Sequence, residues 1–214
     1  MSSLIFESLE ATATAVRVFD RAAQIPAQQD VLWEILRGVV KTQTWTETGK
    51  IISLGYWGTG DVVGKPLAAI EPYEMSCVTP VMVRGLDPHH ALALPMMIQH
   101  IQRLQKLAWV IRQDSVAEQL WGLLIWLFEK FGAAIPDGYL IDIRLTHQAI
   151  AELAGSSRVT ITRLLKQFEA QRLLYRLNKH YVLHTLEPNL SRLLTPDLDR
   201  ESKGRKILGC DKKS

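Results

Sequence analysis

The stretch Leu145-Thr-His-Gln-Ala-Ile-Ala-Glu-Leu-Ala-Gly-Ser-Ser-Arg-Val-Thr-Ile-Thr-Arg-Leu-Leu165 decides how this chain is read. Thr146 is placed to cap a short helix whose Ala149, Ile150 and Leu153 face inward. Two helices that cross steeply need a small residue at the crossing, and Ala151 supplies it. Four positions later the turn needs a residue that tolerates positive φ, and Gly155 fits. Ser156 or Ser157 then caps a second helix, with Ile161, Leu164 and Leu165 in one apolar stripe. A small residue, a glycine four on and a β-branched residue six further is helix-turn-helix spacing. Helical pattern runs on towards Leu174. Tyr175–Leu177, a turn at Asn178-Lys179-His180 and Tyr181–His184 then predict a β-hairpin, or wing.

The same period puts Arg158, Val159, Thr162, Arg163 and Lys166 on the outward side of the second helix. An arginine near a helix N-terminus can enter a major groove and bond guanine O6 and N7 together. Thr146, Gln148, Ser156 and Ser157 sit at helix N-termini, where hydroxyls, amides and free N–H groups can hold phosphates. A capping side chain serves both ends, since it still leaves N–H groups unpaired. Lys179 and His180 at the wing tip are further candidates for DNA contact. Charge agrees with this reading. Residues 1–136 hold 11 Lys/Arg against 13 Asp/Glu, whereas residues 137–214 hold 14 against 9. A basic module joined to a near-neutral one fits double-stranded DNA as partner.

Outward from this segment the chain changes texture. The first ninety residues are short apolar runs broken by turn signals: Val16–Phe19, Val31–Leu36, Val39–Lys41, Ile51–Leu54, Val62-Val63 and Val78–Val83. Strands this short, with turns such as Arg37-Gly38 and Gly58-Thr59-Gly60-Asp61, predict a small antiparallel barrel or sandwich. From Pro95, Met97, Ile101, Leu104, Ala108 and Ile111 recur at spacings of four and three, an a/d seam that either packs on its own domain or pairs with its symmetry mate in a homodimer. A second helix, capped by Asp114 or Ser115, runs through Leu120–Phe128 to Phe131 and is apolar nearly all round, so it lies between packed units. Gly132 and Pro136 end it. The expected organisation is residues 1–94 as a sensor-like domain, 95–136 as a dimerisation and a connecting helix, 137–195 as a winged helix-turn-helix, and 196–214 as a charged disordered tail.

Composition excludes several classes. The 214 residues are 47% hydrophobic and 22% charged, ordinary for a globular chain of one large or two small domains. No apolar run reaches the roughly 18 residues of a membrane span, and Glu7 and Glu10 argue against an export signal. Cys77 and Cys210 alone make no disulfide framework, no C-x-x-C and no cysteine-rich metal site, which points to the reducing cytoplasm. No catalytic triad, metal-spaced cluster or phosphate-binding glycine loop stands out, so an enzyme is not expected.

At Leu145–Leu165 the chain resembles the CRP/FNR transcription regulators, in the branch of the cyanobacterial nitrogen regulator NtcA. Upstream, Leu36-Arg37-Gly38 and Gly60-Asp61-Val62-Val63-Gly64 fit the family in order. The resemblance implies an α+β protein: a cyclic-nucleotide-binding-like β-roll, a long dimerisation helix and a C-terminal winged helix-turn-helix. It implies a homodimer on a palindromic operator, working with RNA polymerase. Arg158 matches the arginine that reads guanine and Arg163 the second base-facing arginine. Thr160 and Lys166 match backbone contacts; Thr146, Gln148 and Ser157 match phosphate contacts. Val159 stands where CRP has a glutamate, as in the NtcA branch. It can touch a thymine methyl but accepts no hydrogen bond, so a GTA…TAC palindrome is expected.

The effector loop, Val62-Val63-Gly64-Lys65, departs from the cyclic-nucleotide members, which follow this glycine with a glutamate for the ribose. Those members also place Arg-Ser about ten residues on. Here the stretch is Glu71–Ser76, with no arginine before Arg84. Neither cAMP nor 2-oxoglutarate is therefore expected, and two cysteines cannot hold an iron–sulfur cluster. His89, His90, His100 and Cys77 leave haem open. An effector-independent regulator with a degenerate β-roll is the second reading.

Overall fold

The structure is a computed structural model and describes residues 16–184. Eight strands make the N-terminal part. They are β1 (Val16–Phe19), β2 (Gln24–Ile25), β3 (Leu32–Arg37), β4 (Val40–Trp45), β5 (Ile51–Trp57), β6 (Val62–Val63), β7 (Glu74–Cys77) and β8 (Val81–Leu86). Two antiparallel sheets, ordered β1-β8-β3-β6 and β2-β7-β4-β5, face each other. Between them lie Trp33, Ile35, Val40, Trp57, Val63, Met75, Cys77 and Val83. Alternation along β4 (Val40, Thr42 and Thr44 in, Lys41 and Gln43 towards the outside) is what a strand with one covered face requires. At the β3–β4 turn Gly38 sits at φ +94, and a Cβ there would lie 2.3 Å from the Pro80 carbonyl.

Four helices follow: α1 (Ala93–Val110), α2 (Val116–Phe131), α3 (His147–Ala154) and α4 (Arg158–Ala170). Ser115 caps α2 in a capping box with Glu118. As its all-round apolarity requires, α2 buries Leu120, Leu123, Leu124, Ile125, Trp126 and Leu127. It shares one core with α3, α4 and two residues of the β-domain, Val39 and Tyr56. A third antiparallel sheet, β11-β12-β10-β9, is made of β9 (Gly132–Ile135), β10 (Gly138–Ile141), β11 (Leu174–Leu177) and β12 (His180–Leu183).

The structure corrects the sequence reading in several places. The boundary expected between residues 136 and 137 lies in the turn of a hairpin, because Gly132–Ile135 pairs along β10. The strand expected at Val78–Val83 starts at Val81; Thr79 instead turns, its hydroxyl accepting the Val39 N–H at 2.9 Å. The short strands β2 and β7 carried no pattern long enough to read. The N-terminal residues 1–15, with Glu7 and Glu10, and residues 185–214, with the expected tail and Cys210, lie outside the described residues.

The seam expected on α1 divides. Met97 packs on Leu32, Val62, Leu86 and Ala93, and Leu104 packs on the β-domain core. Ile101, Ala108 and Ile111 are exposed. The apolar stripe left exposed among the described residues is Leu94, Ile98, Ile101 and Ala108, with Gln105 among them. Its spacing of four and three is again that of an a/d seam. The helix carries two apolar stripes, and periodicity alone does not say which one its own domain takes.

Candidate nucleic-acid interface

Helix α3 starts at Thr146, whose hydroxyl accepts the Ala149 N–H at 3.0 Å. It ends at Gly155 in the left-handed region (φ 63, ψ 24), whose N–H returns to the Ala151 carbonyl. Ser157 caps α4, accepting the Thr160 N–H at 3.0 Å. Ile161, Leu164, Leu165 and Phe168 are buried, which turns the opposite face outward. On that face Arg158, Val159, Arg163 and Lys166 are exposed. Val159 is 79% exposed, a position that no packing among the described residues explains. The wing is β11 and β12, joined by Asn178 (φ 48) and Lys179 (φ 72), the two positive φ values of a tight hairpin turn.

Not every expected residue points to solvent. The Thr162 hydroxyl donates to the Arg158 carbonyl at 2.8 Å and lies 2.8 Å from His147 Nδ1. With the hydroxyl proton so placed, the imidazole is the donor of that pair. Burial, then Arg176 and Arg158, hold His147 below its ordinary pKa, so it stays neutral among these cations. Thr162 is thus committed within the domain. The Thr160 hydroxyl lies 2.9 Å from Ser157 Oγ, and the Gln148 amide donates to Glu152 at 3.1 Å. His180 lies on the wing 3.9 Å from the Asp142 carboxylate, leaving Lys179 alone at the tip.

The effector positions are structural. Val62 and Val63 are fully buried, and a side chain at Gly64 would meet the Val31 carbonyl at 2.7 Å. Lys65 pairs with Glu71. Arg84 is held by Glu34, its Nε 2.9 Å from the carboxylate. Between the roll and α1, Trp57 stacks on His100 at 3.9 Å. His100 Nδ1 donates to the Val62 carbonyl at 3.0 Å. The two cations that flank this loop in sequence are already paired, Lys65 with Glu71 and Arg84 with Glu34, which leaves neither for the phosphate of a cyclic nucleotide. Burial pushes His100 down to about 4. The unfolded chain takes up that proton near the ordinary value, about 6.5, so the folded state loses stability as pH falls from there towards 4. Urea midpoints measured across this range should fall more steeply for the native protein than for His100→Gln.

Two contacts that sequence reading missed tie the β-domain to the helices. Asp61, buried in the β5–β6 loop, accepts Lys130 Nζ at 2.8 Å with one oxygen and the Gly58 N–H at 2.8 Å with the other. Lys41 on β4 donates to Glu152 on α3 at 2.7 Å. Partners 69 and 111 residues apart leave no local signal.

Comparison with known proteins agrees with this geometry. The Crp-like helix-turn-helix domain family matches residues 118–190. The regulatory protein CysR of Synechococcus elongatus is 40% identical over 151 residues, covering 69% of this chain and 73% of CysR. A global nitrogen regulator of Synechocystis is 30% identical over 172 residues, covering 70% and 76%. In fold, the chain matches the CRP-family regulator TTHB099 of Thermus thermophilus with a TM-score of 0.70 at 20% identity, over 83% of this chain and 95% of that one. A β-roll, a long helix and an exposed basic recognition helix thus meet sequence identity over most of two named regulators: the chain belongs to the CRP/FNR family of transcription regulators.

Proposed function

We infer that the protein acts as a homodimer on a palindromic operator, each protomer laying α4 in a major groove. The observation that carries this is the free face of α4, where Arg158, Arg163 and Lys166 surround a valine with no partner of its own. Arg158 reads guanine and Val159 a neighbouring thymine methyl, which favours GTA…TAC half-sites. Arg163 is the second base-facing cation; Lys166, Thr146, Ser156, Ser157 and Lys179 hold the backbone. The unpartnered stripe on α1 supports the second copy, since two-fold symmetry sets two such helices against each other. RNA polymerase is the further partner that the family implies. Selection of bound duplexes from a random pool tests the reading. It should return an inverted repeat whose half-sites lie about one helical turn apart. A pool with no enriched sequence contradicts it.

The filled β-roll favours the second reading for the sensor half, an effector-independent regulator. The Trp57–His100 stack and the Lys65–Glu71 pair take the place and the charge that a ligand would need.

A further inference from the structure

We propose that the tip of the β4–β5 hairpin belongs to the DNA interface, with Lys50 adding a phosphate contact from the β-domain. The inference rests on the DNA-reading face assigned above. The hairpin is fastened to the helix-turn-helix: Lys41 meets Glu152 at 2.7 Å, both side chains only 12% exposed. Behind this pair Tyr56 of β5 sits in the core of α2 and α3. Burial and the Glu152 carboxylate push its hydroxyl pKa up, so it stays uncharged. The hairpin tip and the turn between α3 and α4 enclose a cleft of about 410 Å³, lined by Lys50, Ile52, Gln148, Gly155 and Ser156 among others. Ser156 is assigned above to the DNA backbone, and Gln148, a phosphate candidate in the sequence, keeps a second amide hydrogen beyond the one it gives Glu152. A phosphate held by them is a neighbour of Lys50.

Charge completes the argument. The carboxylate in the cleft, Glu152, is satisfied at both oxygens, by Lys41 and by the Gln148 amide. Lys50 is exposed, and among the described residues no carboxylate pairs with it. An ammonium with three donors beside two phosphate-binding residues is the complement of a DNA backbone. It carries no base information, so it strengthens binding to every sequence alike.

The test is fluorescence anisotropy of the intact protein with the selected operator and with a scrambled duplex, over a series of sodium chloride concentrations. Lys50→Ala should weaken both complexes about three- to tenfold at low salt. It should also lower the salt slope by about two for the dimer, and leave the operator preference unchanged. In a Lys41→Met background, where the hairpin is unfastened, Lys50→Ala should have a smaller effect. Unchanged affinity and slope in Lys50→Ala, with operator preference intact in the native protein, would overturn this inference alone. So would an equal effect with and without Lys41. A native protein with no preference between the duplexes would overturn the DNA-reading assignment, and this inference with it.

Discussion

Replacing Arg158 with alanine removes the preference for guanine at one position of each half-site while leaving most of the binding to unrelated duplex. Arg158 is exposed on the first turn of α4, and its side chain supports no core residue. Its loss should therefore leave the far-ultraviolet dichroism and the melting temperature unaltered. A bidentate contact to guanine is worth about 1–3 kcal/mol of discrimination. A dimer makes it twice, so operator affinity falls by about 2–6 kcal/mol, thirtyfold or more. Competition with duplexes changed at one position should show that all four base pairs are now equivalent at the former guanine. Lys166→Ala is the contrasting variant. It weakens every duplex alike and lowers the salt slope by about one per protomer. Uniform loss over all sequences for Arg158→Ala would contradict its assignment to a base.

Ile101→Glu separates the protomers and reduces binding to the level of unspecific duplex. Ile101 is 51% exposed within its own chain, so a charge there is tolerated by the protomer. In a pair of α1 helices it lies at the centre of the stripe formed by Leu94, Ile98 and Ala108, where two carboxylates would be desolvated side by side. Sedimentation should give one chain instead of two. Each monomer then holds one half-site, and the advantage of operator over random duplex, about a thousandfold or more for a specific regulator, collapses. Met97→Glu provides the control: Met97 packs on its own β-domain, so that change unfolds the protomer rather than dividing the pair. A dimer that survives Ile101→Glu would move the interface elsewhere.

The helix-turn-helix was legible because everything that defines it is local. Ala151, Gly155 and Ile161 lie within eleven positions, and each answers one steric demand. The cap at Thr146 was legible for the same reason, whereas Ser115 and Ser157 were each one of two neighbouring candidates. The β-domain was legible in kind but not in detail: β2 and β7 mix polar and apolar residues over too few positions for a period, whereas the equally short β1 and β6 are marked by their valines. Strand β9 was hidden because Gly132-Ala133-Ala134-Ile135 has no alternation, and its pairing with β10 comes from the hairpin rather than from side chains. The free face of α1 was half legible, since Ile101 and Ala108 stay on it while Met97 and Leu104 serve the β-domain. The ties that join the two halves, Lys41 with Glu152 and Lys130 with Asp61, were not legible at all. A charge pair formed across 111 or 69 residues exists only after the fold has closed.

Those ties bear on how such a protein works. The helices are held against the β-domain by a shared core and two ion pairs, Lys41 of β4 with Glu152 of α3 and Asp61 of the β5–β6 loop with Lys130 of α2. On the effector-independent reading proposed above, these ties hold the reading heads in place without a bound ligand.

Sedimentation of the intact chain with its selected duplex, in competition with a scrambled duplex at physiological salt, tests the central claim most directly. The account requires two chains of 24.2 kDa on each duplex and an affinity at least about a thousandfold above that for the scrambled sequence. One chain per duplex, bound with equal affinity to either sequence, would contradict it.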